Sequence, residues 1–170
     1  MDLQEYKKVW KKPLQKVSLC FLVNGDSILL GLKKRGFGAG KLNGVGGKLK
    51  GKESIEECSI RETHEEIGVV IKKMKKAGVI KFYTSDLSEA DIFNQEVHIF
   101  VVSEWEGTPS ESEEIRPAWF NKNELPFEKM WPDDPYWLPQ VLAGKYVDAE
   151  ILFDENEKPS DVRIVERAAE

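Results

Sequence analysis

The feature that most restricts how this chain can fold is a glycine-rich stretch, RGFGAGKLNGVGGKLKGKE, running straight into a charged amphipathic segment. Seven glycines between Gly36 and Gly51 rule out a regular element and suit a loop whose backbone approaches a ligand closely. Ser54 followed by Glu57 is a capping-box pattern, so a helix is expected to open there, run to about Ile67 and stop at Gly68. On that helix Glu62, Glu65 and Glu66 fall at i, i+3 and i+4, which puts three carboxylates on one face. Like charges so placed repel, and a cation among them is the simplest compensation. All-oxygen ligands select hard ions, and ions that work with phosphates are typically Mg²⁺. The expected cofactor is therefore Mg²⁺, with Mn²⁺ as a substitute. A solvated acidic helix face is the competing reading of the three glutamates taken alone.

The flanking sequence reads as a mixed α/β (α+β) fold. Lys16 to Lys33 is two strands joined by a tight turn at Asn24-Gly25-Asp26. Further strands are expected at Val69 to Ile71, Ala77 to Thr84, Val97 to Trp105 and Pro117 to Phe120, with a second helix at Pro135 to Leu142. The stretch 145–170 reads as a closing hairpin and tail, and residues 1–15 as a loose lead-in. The 170 residues, with 41% hydrophobic and 32% charged, suit a single domain with one core: a mixed sheet flanked by about two main helices. Cys20 and Cys58 sit in apolar patterns and are expected as buried, reduced thiols.

A net charge of -5 argues against a long nucleic acid as partner. Lys33, Lys34, Arg35, Lys41, Lys48, Lys50 and Lys52 nevertheless cluster around the glycines, where a small polyanion could bind. The polar start and the lack of a long apolar stretch argue against a membrane, so a cytoplasmic protein is expected. Nothing in the sequence points to a protein partner. His64 and His98 lack metal-ligand spacing and receive no role.

The acidic triad belongs to a longer pattern, G-x5-E-x7-R-E-x-x-E-E-x-G, formed by Gly47, Glu53, Arg61, Glu62, Glu65, Glu66 and Gly68. At average residue usage such a match arises by chance on the order of 10⁻⁹ per window. Gly47 to Val69 resembles the Nudix box. That resemblance implies an α/β/α sandwich in which a loop-helix-loop cradle holds metal and diphosphate. It further implies that Glu62, Glu65 and Glu66 bind the metal, that the Gly46 backbone reaches it, and that Arg61 and Glu53 brace the cradle as an ion pair. Thr63 departs from the family's aliphatic residue, and a small packing change is expected there.

Between about Lys16 and Tyr146 the chain is also similar to the oxidised purine nucleoside triphosphate diphosphatases of the animal 8-oxo-dGTPase type. The similar stretches are LLGLKKRGFGAGKLNGVGGK, EGTPSESEEIRPAWF and ELPFEKMWPDDPYW. By position, the resemblance implies that Asn43, Asp133 and Asp134 bind the purine edge and that Trp131 and Phe37 line or stack on the base. It puts Ser18 and Lys33, with Gly46, Gly47 and Lys48 of the loop, against the substrate, and makes Glu114 a further metal-linked glutamate. Leu42 and Val45 stand where that family has Trp and Phe, so the wall beside Asn43 is expected to be less aromatic. Without the box, WPDDP would read as a turn into a helix, and Trp131, Trp137, Phe127 and Tyr136 as ordinary core or covering aromatics.

The function so implied is metal-dependent hydrolysis of an oxidised purine nucleoside triphosphate to monophosphate and pyrophosphate, a sanitation of the nucleotide pool. Glu66 or Glu114 is the expected general base. Two rivals stay open: a Nudix pyrophosphatase for a dinucleotide or sugar nucleotide, and a nucleotide-binding module without catalysis.

Overall fold

The computed structural model describes residues 1–169. Strands β1 (Gln15–Asn24) and β2 (Ser27–Lys33) form the expected hairpin around Gly25 and Asp26, with Val23 opposite Ile28 and Asn24 opposite Ser27. Beyond those two pairs the strands part. β1 runs parallel to β5 (Gln95–Glu106), whereas β2 pairs antiparallel with β6 (Ile115–Asn121) and with the short β3 (Leu42–Asn43). β4 (Val70–Thr84) lies antiparallel to β5 and parallel to β7 (Lys145–Phe153), and β8 (Pro159–Ala168) closes the sheet as the expected C-terminal hairpin. The order is β3-β2-β1-β5-β4-β7-β8, with β6 beside β2.

Alternation along β1 and β5 divides the interior in two, because successive side chains point to opposite faces of a sheet. Cys20, Leu22, Phe100 and Val102 pack with Ile67 of helix α2 (Ile55–Ile67). Phe21, Val97 and Ile99 pack with Trp137, Leu138 and Val141 of helix α4 (Asp134–Leu142). One helix on each face gives the expected α/β/α sandwich. Cys20 and Cys58 are buried and unpaired, and no helix among the described residues is long and apolar enough to cross a membrane.

Two expectations are corrected. Val70 and Ile71 of the first expected strand are continuous with Ala77 to Thr84 in one strand, β4. The lysine-rich segment between them stays in the ladder, with irregular register between Ile71 and Gly78 that keeps its lysines turned outward while Met74 packs inward. The lead-in is not loose. Leu3–Val9 forms helix α1, closed by a capping box between Asp2 and Glu5, and it buries Leu3 and Tyr6 against Tyr83 and Leu152. A four-residue helix α3 (Ala90–Phe93) joins α1 as a minor helix among the described residues, beside α2 and α4, the two main helices expected.

Candidate active site

Helix α2 is closed at both ends as the sequence requires. The Glu57 N–H donates to Ser54 Oγ at 3.1 Å, the Ser54 N–H donates to the Glu57 carboxylate at 3.2 Å, and Gly68 ends the helix at φ 75°. Arg61 is the hub of this element. Its Nε and Nη2 donate to the two Glu53 oxygens at 2.9 and 2.6 Å, and its Nη1 donates to Glu62 at 2.8 Å and Glu65 at 3.3 Å. Nη2 also reaches the Lys48 carbonyl at 3.2 Å, so one guanidinium ties the helix to the loop before it. Those Arg61 hydrogen bonds hold the Glu53 carboxyl down to about 2, against the opposing effect of burial. The Arg61–Glu53 ion pair that the resemblance implied is present.

The loop lies directly on β1. The Ser18 N–H donates to the Gly47 carbonyl at 2.9 Å, and Cys20 and Val45 exchange backbone bonds at 2.7 and 2.9 Å. So close an approach excludes side chains. A Cβ on Gly46 would sit 1.8 Å from the Ser18 carbonyl oxygen, and one on Gly47 2.4 Å from the Glu62 carboxyl carbon. Glu66 lies beneath this loop. Burial first, then the charge of Glu62, pushes its carboxyl up to about 8, opposed by the Gly46 N–H and by Lys33. Its Oε2 is buried without a hydrogen-bond partner.

A cleft of about 200 Å³ opens beside the loop. Ser18, Lys33, Gly46, Gly47, Lys48 and Glu66 line it, as do Phe37, Asn43, Trp131, Asp133 and Asp134. The substrate residues inferred from sequence therefore meet in one cavity. Phe37 and Trp131 face each other with ring centroids 5.3 Å apart, and the Lys41 ammonium stands 4.7 Å from the Trp131 ring centre. Asp133 begins α4 without capping it; its carboxylate instead accepts the Trp137 indole N–H at 2.8 Å in the interior. Both aspartates are buried, and Asp134 Oδ2 has no partner. Burial raises both carboxyls, Asp134 further through the adjacent charge of Asp133. WPDDP is thus both a helix start and a cleft wall.

A NUDIX domain model matches residues 13–141. The chain belongs to the Nudix family. It is similar to the oxidized purine nucleoside triphosphate hydrolase of Danio rerio, 44% identical over 129 residues that cover 76% of this chain and 80% of the relative. The protein of the same name from Mus musculus is 41% identical over 140 residues, covering 82% and 87%. Among solved structures, the MutT protein of Bacillus halodurans superposes with a TM-score of 0.75 at 25% identity, covering 89% of this chain and 97% of that one.

Nudix hydrolases generally require a divalent metal, and the donors of this Nudix box suit one: an all-oxygen set around a buried carboxylate oxygen that no protein group satisfies. As the side chains stand, however, no three acidic, histidine or cysteine residues among the described residues converge closely enough to hold an ion. The expected grouping of Glu62, Glu65, Glu66 and Glu114 with Gly46 is therefore not assembled. Arg61 occupies Glu62 and Glu65, and Glu114 lies outside the cleft lining, held by the Arg35 Nε at 2.7 Å.

The expectation of a less aromatic cleft wall beside Asn43 is corrected. Leu42 and Val45 are buried in opposite halves of the core and neither lines the cleft, so the loss of Trp and Phe there does not strip the wall of aromatic rings. Phe82, Phe93 and Phe153 supply them instead, from β4, α3 and β7. Phe82 and Phe153 lay unremarked inside strand patterns, and nothing local marks Phe93. Lys41 was visible only as a member of the basic cluster. Thr63 is fully buried on the inner face of α2 beside Cys20, and His98 pairs with Glu96 at 2.8 Å, away from the cleft lining.

Proposed function

We propose that this Nudix hydrolase cleaves oxidised purine nucleoside triphosphates to the monophosphate and pyrophosphate, with Mg²⁺ as cofactor and Mn²⁺ as a substitute. One observation carries the reading: the phosphate-side loop with Glu66 and the buried Asp133–Asp134 pair with its aromatic wall line the same cleft. Relatives 41 and 44% identical over most of their length are named oxidized purine nucleoside triphosphate hydrolases, which supports the substrate class.

The base would lie against Trp131 and Phe37. Two adjacent buried carboxyls repel, so one keeps a proton, and the pair presents a donor beside an acceptor to the purine edge. Asn43, whose Oδ1 accepts the Gly44 N–H at 2.8 Å, adds an amide at the same cleft. Lys33 and Lys48 would meet the phosphates, and the close-packed backbone of Gly46 and Gly47 leaves room for them. Glu62, Glu65 and Glu66 would hold the metal, with Glu114 joining if it leaves Arg35. Bound there, the metal supplies charge neutralisation for phosphate oxygens and acidifies water. Arg61 would hold Glu62 and Glu65 in place through its Glu53 anchor. For accepting the proton of the attacking water, the lining position of Glu66 favours it over Glu114.

We read the whole chain, α1 included, as one functional domain working on the cytoplasmic nucleotide pool. Pyrophosphate release with Mg²⁺ from 8-oxo-dGTP, 2-hydroxy-dATP, dGTP, dATP and ADP-ribose at matched concentrations tests the proposal. The oxidised purines should show the highest kcat/KM. Preference for ADP-ribose would replace the substrate class, and no turnover of any compound would leave a binding module.

A further inference from the structure

Helix α1 lies ahead of the matched Nudix region, residues 13–141, yet it is tied into the sheet. The Leu3 N–H donates to Asp161 at 2.9 Å, Lys7 pairs with Glu150, and the Tyr6 ring packs edge-on against Tyr83 at 5.6 Å. From that anchorage two contacts reach α3. Asn94 Nδ2 donates to the Tyr6 hydroxyl at 2.9 Å, and the Lys12 ammonium donates to Asp91 at 2.8 Å. Asn94 is buried, and its other end accepts the Thr84 N–H at 2.9 Å, so its amide is fixed on both sides.

These ties matter because α3 cannot hold its own orientation. It spans four residues and has no side-chain cap, far short of what makes a helix stable by itself. Its last residue, Phe93, meets Phe37 at 5.8 Å and Trp131 at 5.9 Å, the two rings proposed to receive the base. Among the described residues, no hydrogen bond joins the carboxylates of α2 to Tyr6, Asn94 or Phe93, although Glu66 lines the same cleft.

We infer that α1 sets the aromatic wall of the base cleft through Tyr6 and Asn94, which are positioning residues for the base. The choice of substrate used to read the effect rests on the function proposed above. Tyr6→Phe keeps the buried ring and removes only the acceptor of the Asn94 amide. Its KM for 8-oxo-dGTP should rise about five-fold, with kcat within about two-fold of wild type. Lys12→Ala should shift KM the same way by about two-fold, and Lys8→Ala, on the exposed side of α1, should shift neither constant. Hydrogen exchange of the amides in residues 89–95 should also quicken in Tyr6→Phe. A lowered Tm with unchanged KM and unchanged exchange would mean that α1 merely braces the fold, and would overturn the inference. If wild type releases no pyrophosphate, the substrate reading fails separately, and the exchange measurement alone decides whether α1 controls α3.

Discussion

Replacing Gly46 with alanine tests how the loop is bound to the sheet. The added Cβ would stand 1.8 Å from the Ser18 carbonyl oxygen, and such contacts do not fall below 3.0 Å. Loop or strand must therefore retreat by roughly 1.2 Å, the difference of those distances. The obstacle is backbone, which no rotamer change can move. The retreat breaks or lengthens the Ser18–Gly47 bond at 2.9 Å and the Cys20–Val45 pair at 2.7 and 2.9 Å. At about 1 kcal/mol net for each bond the loss of stability is about 3 kcal/mol. A shift of that size next to Glu66 should lower kcat/KM about 100-fold under conditions where the variant is folded. Gly47→Ala should behave differently, because its Cβ meets a side chain, the Glu62 carboxylate at 2.4 Å. It should cost little stability while disturbing Glu62 and activity. Gly51→Ala has open space around it and a φ of 57°, so it should cost about 1 kcal/mol in backbone strain with activity retained. Urea unfolding gives the stabilities, and pyrophosphate release in folded protein gives the rates. If Gly46→Ala matches wild type in both, the close approach of loop to β1 does not control the site.

Glu66→Gln and Glu62→Gln should each remove most turnover and keep the fold; thermal shift should show Mg²⁺ stabilising wild type and neither variant. Arg61→Lys loses the two-pronged contact with Glu53, so both it and Glu53→Gln should lower kcat/KM by about ten-fold or more, and the double variant should fall short of the product of the two effects. Asp133 and Asp134 both titrate above a solvated aspartate, so the folded chain binds more protons than the unfolded one once pH passes about 4. Their contribution to stability is accordingly full below that pH and lost as pH rises. Asp134→Asn should flatten the fall between pH 5 and pH 8, measured by Tm across that range, and an unchanged slope would remove the buried pair as its source.

Much of the site was legible because its specification is local. The capping box at Ser54 and Glu57, the stop at Gly68 and the shared face of Glu62, Glu65 and Glu66 depend on residues three or four apart, and helix geometry fixes such spacings. The fault over residues 1–15 has a long-range origin: an isolated helix of seven residues is unstable, and α1 is held by Tyr83, Leu152 and Asp161, more than seventy residues away. The two strands expected at Val69 to Ile71 and Ala77 to Thr84 are one because the lysines between them pair with β5, a partner far along the chain.

The sequence by itself determined the Nudix box, the flanking hairpins and the identity of the charged groups, because turn chemistry, capping and periodicity act over a few bonds. Only the tertiary structure decided which groups meet. It joined Phe82, Phe93 and Phe153 to Phe37 and Trp131 in one wall, set Leu42 and Val45 back into the core, and gave Glu62 and Glu65 to Arg61. Such neighbours depend on strand order and on which face each element buries, and those follow from packing of the whole chain.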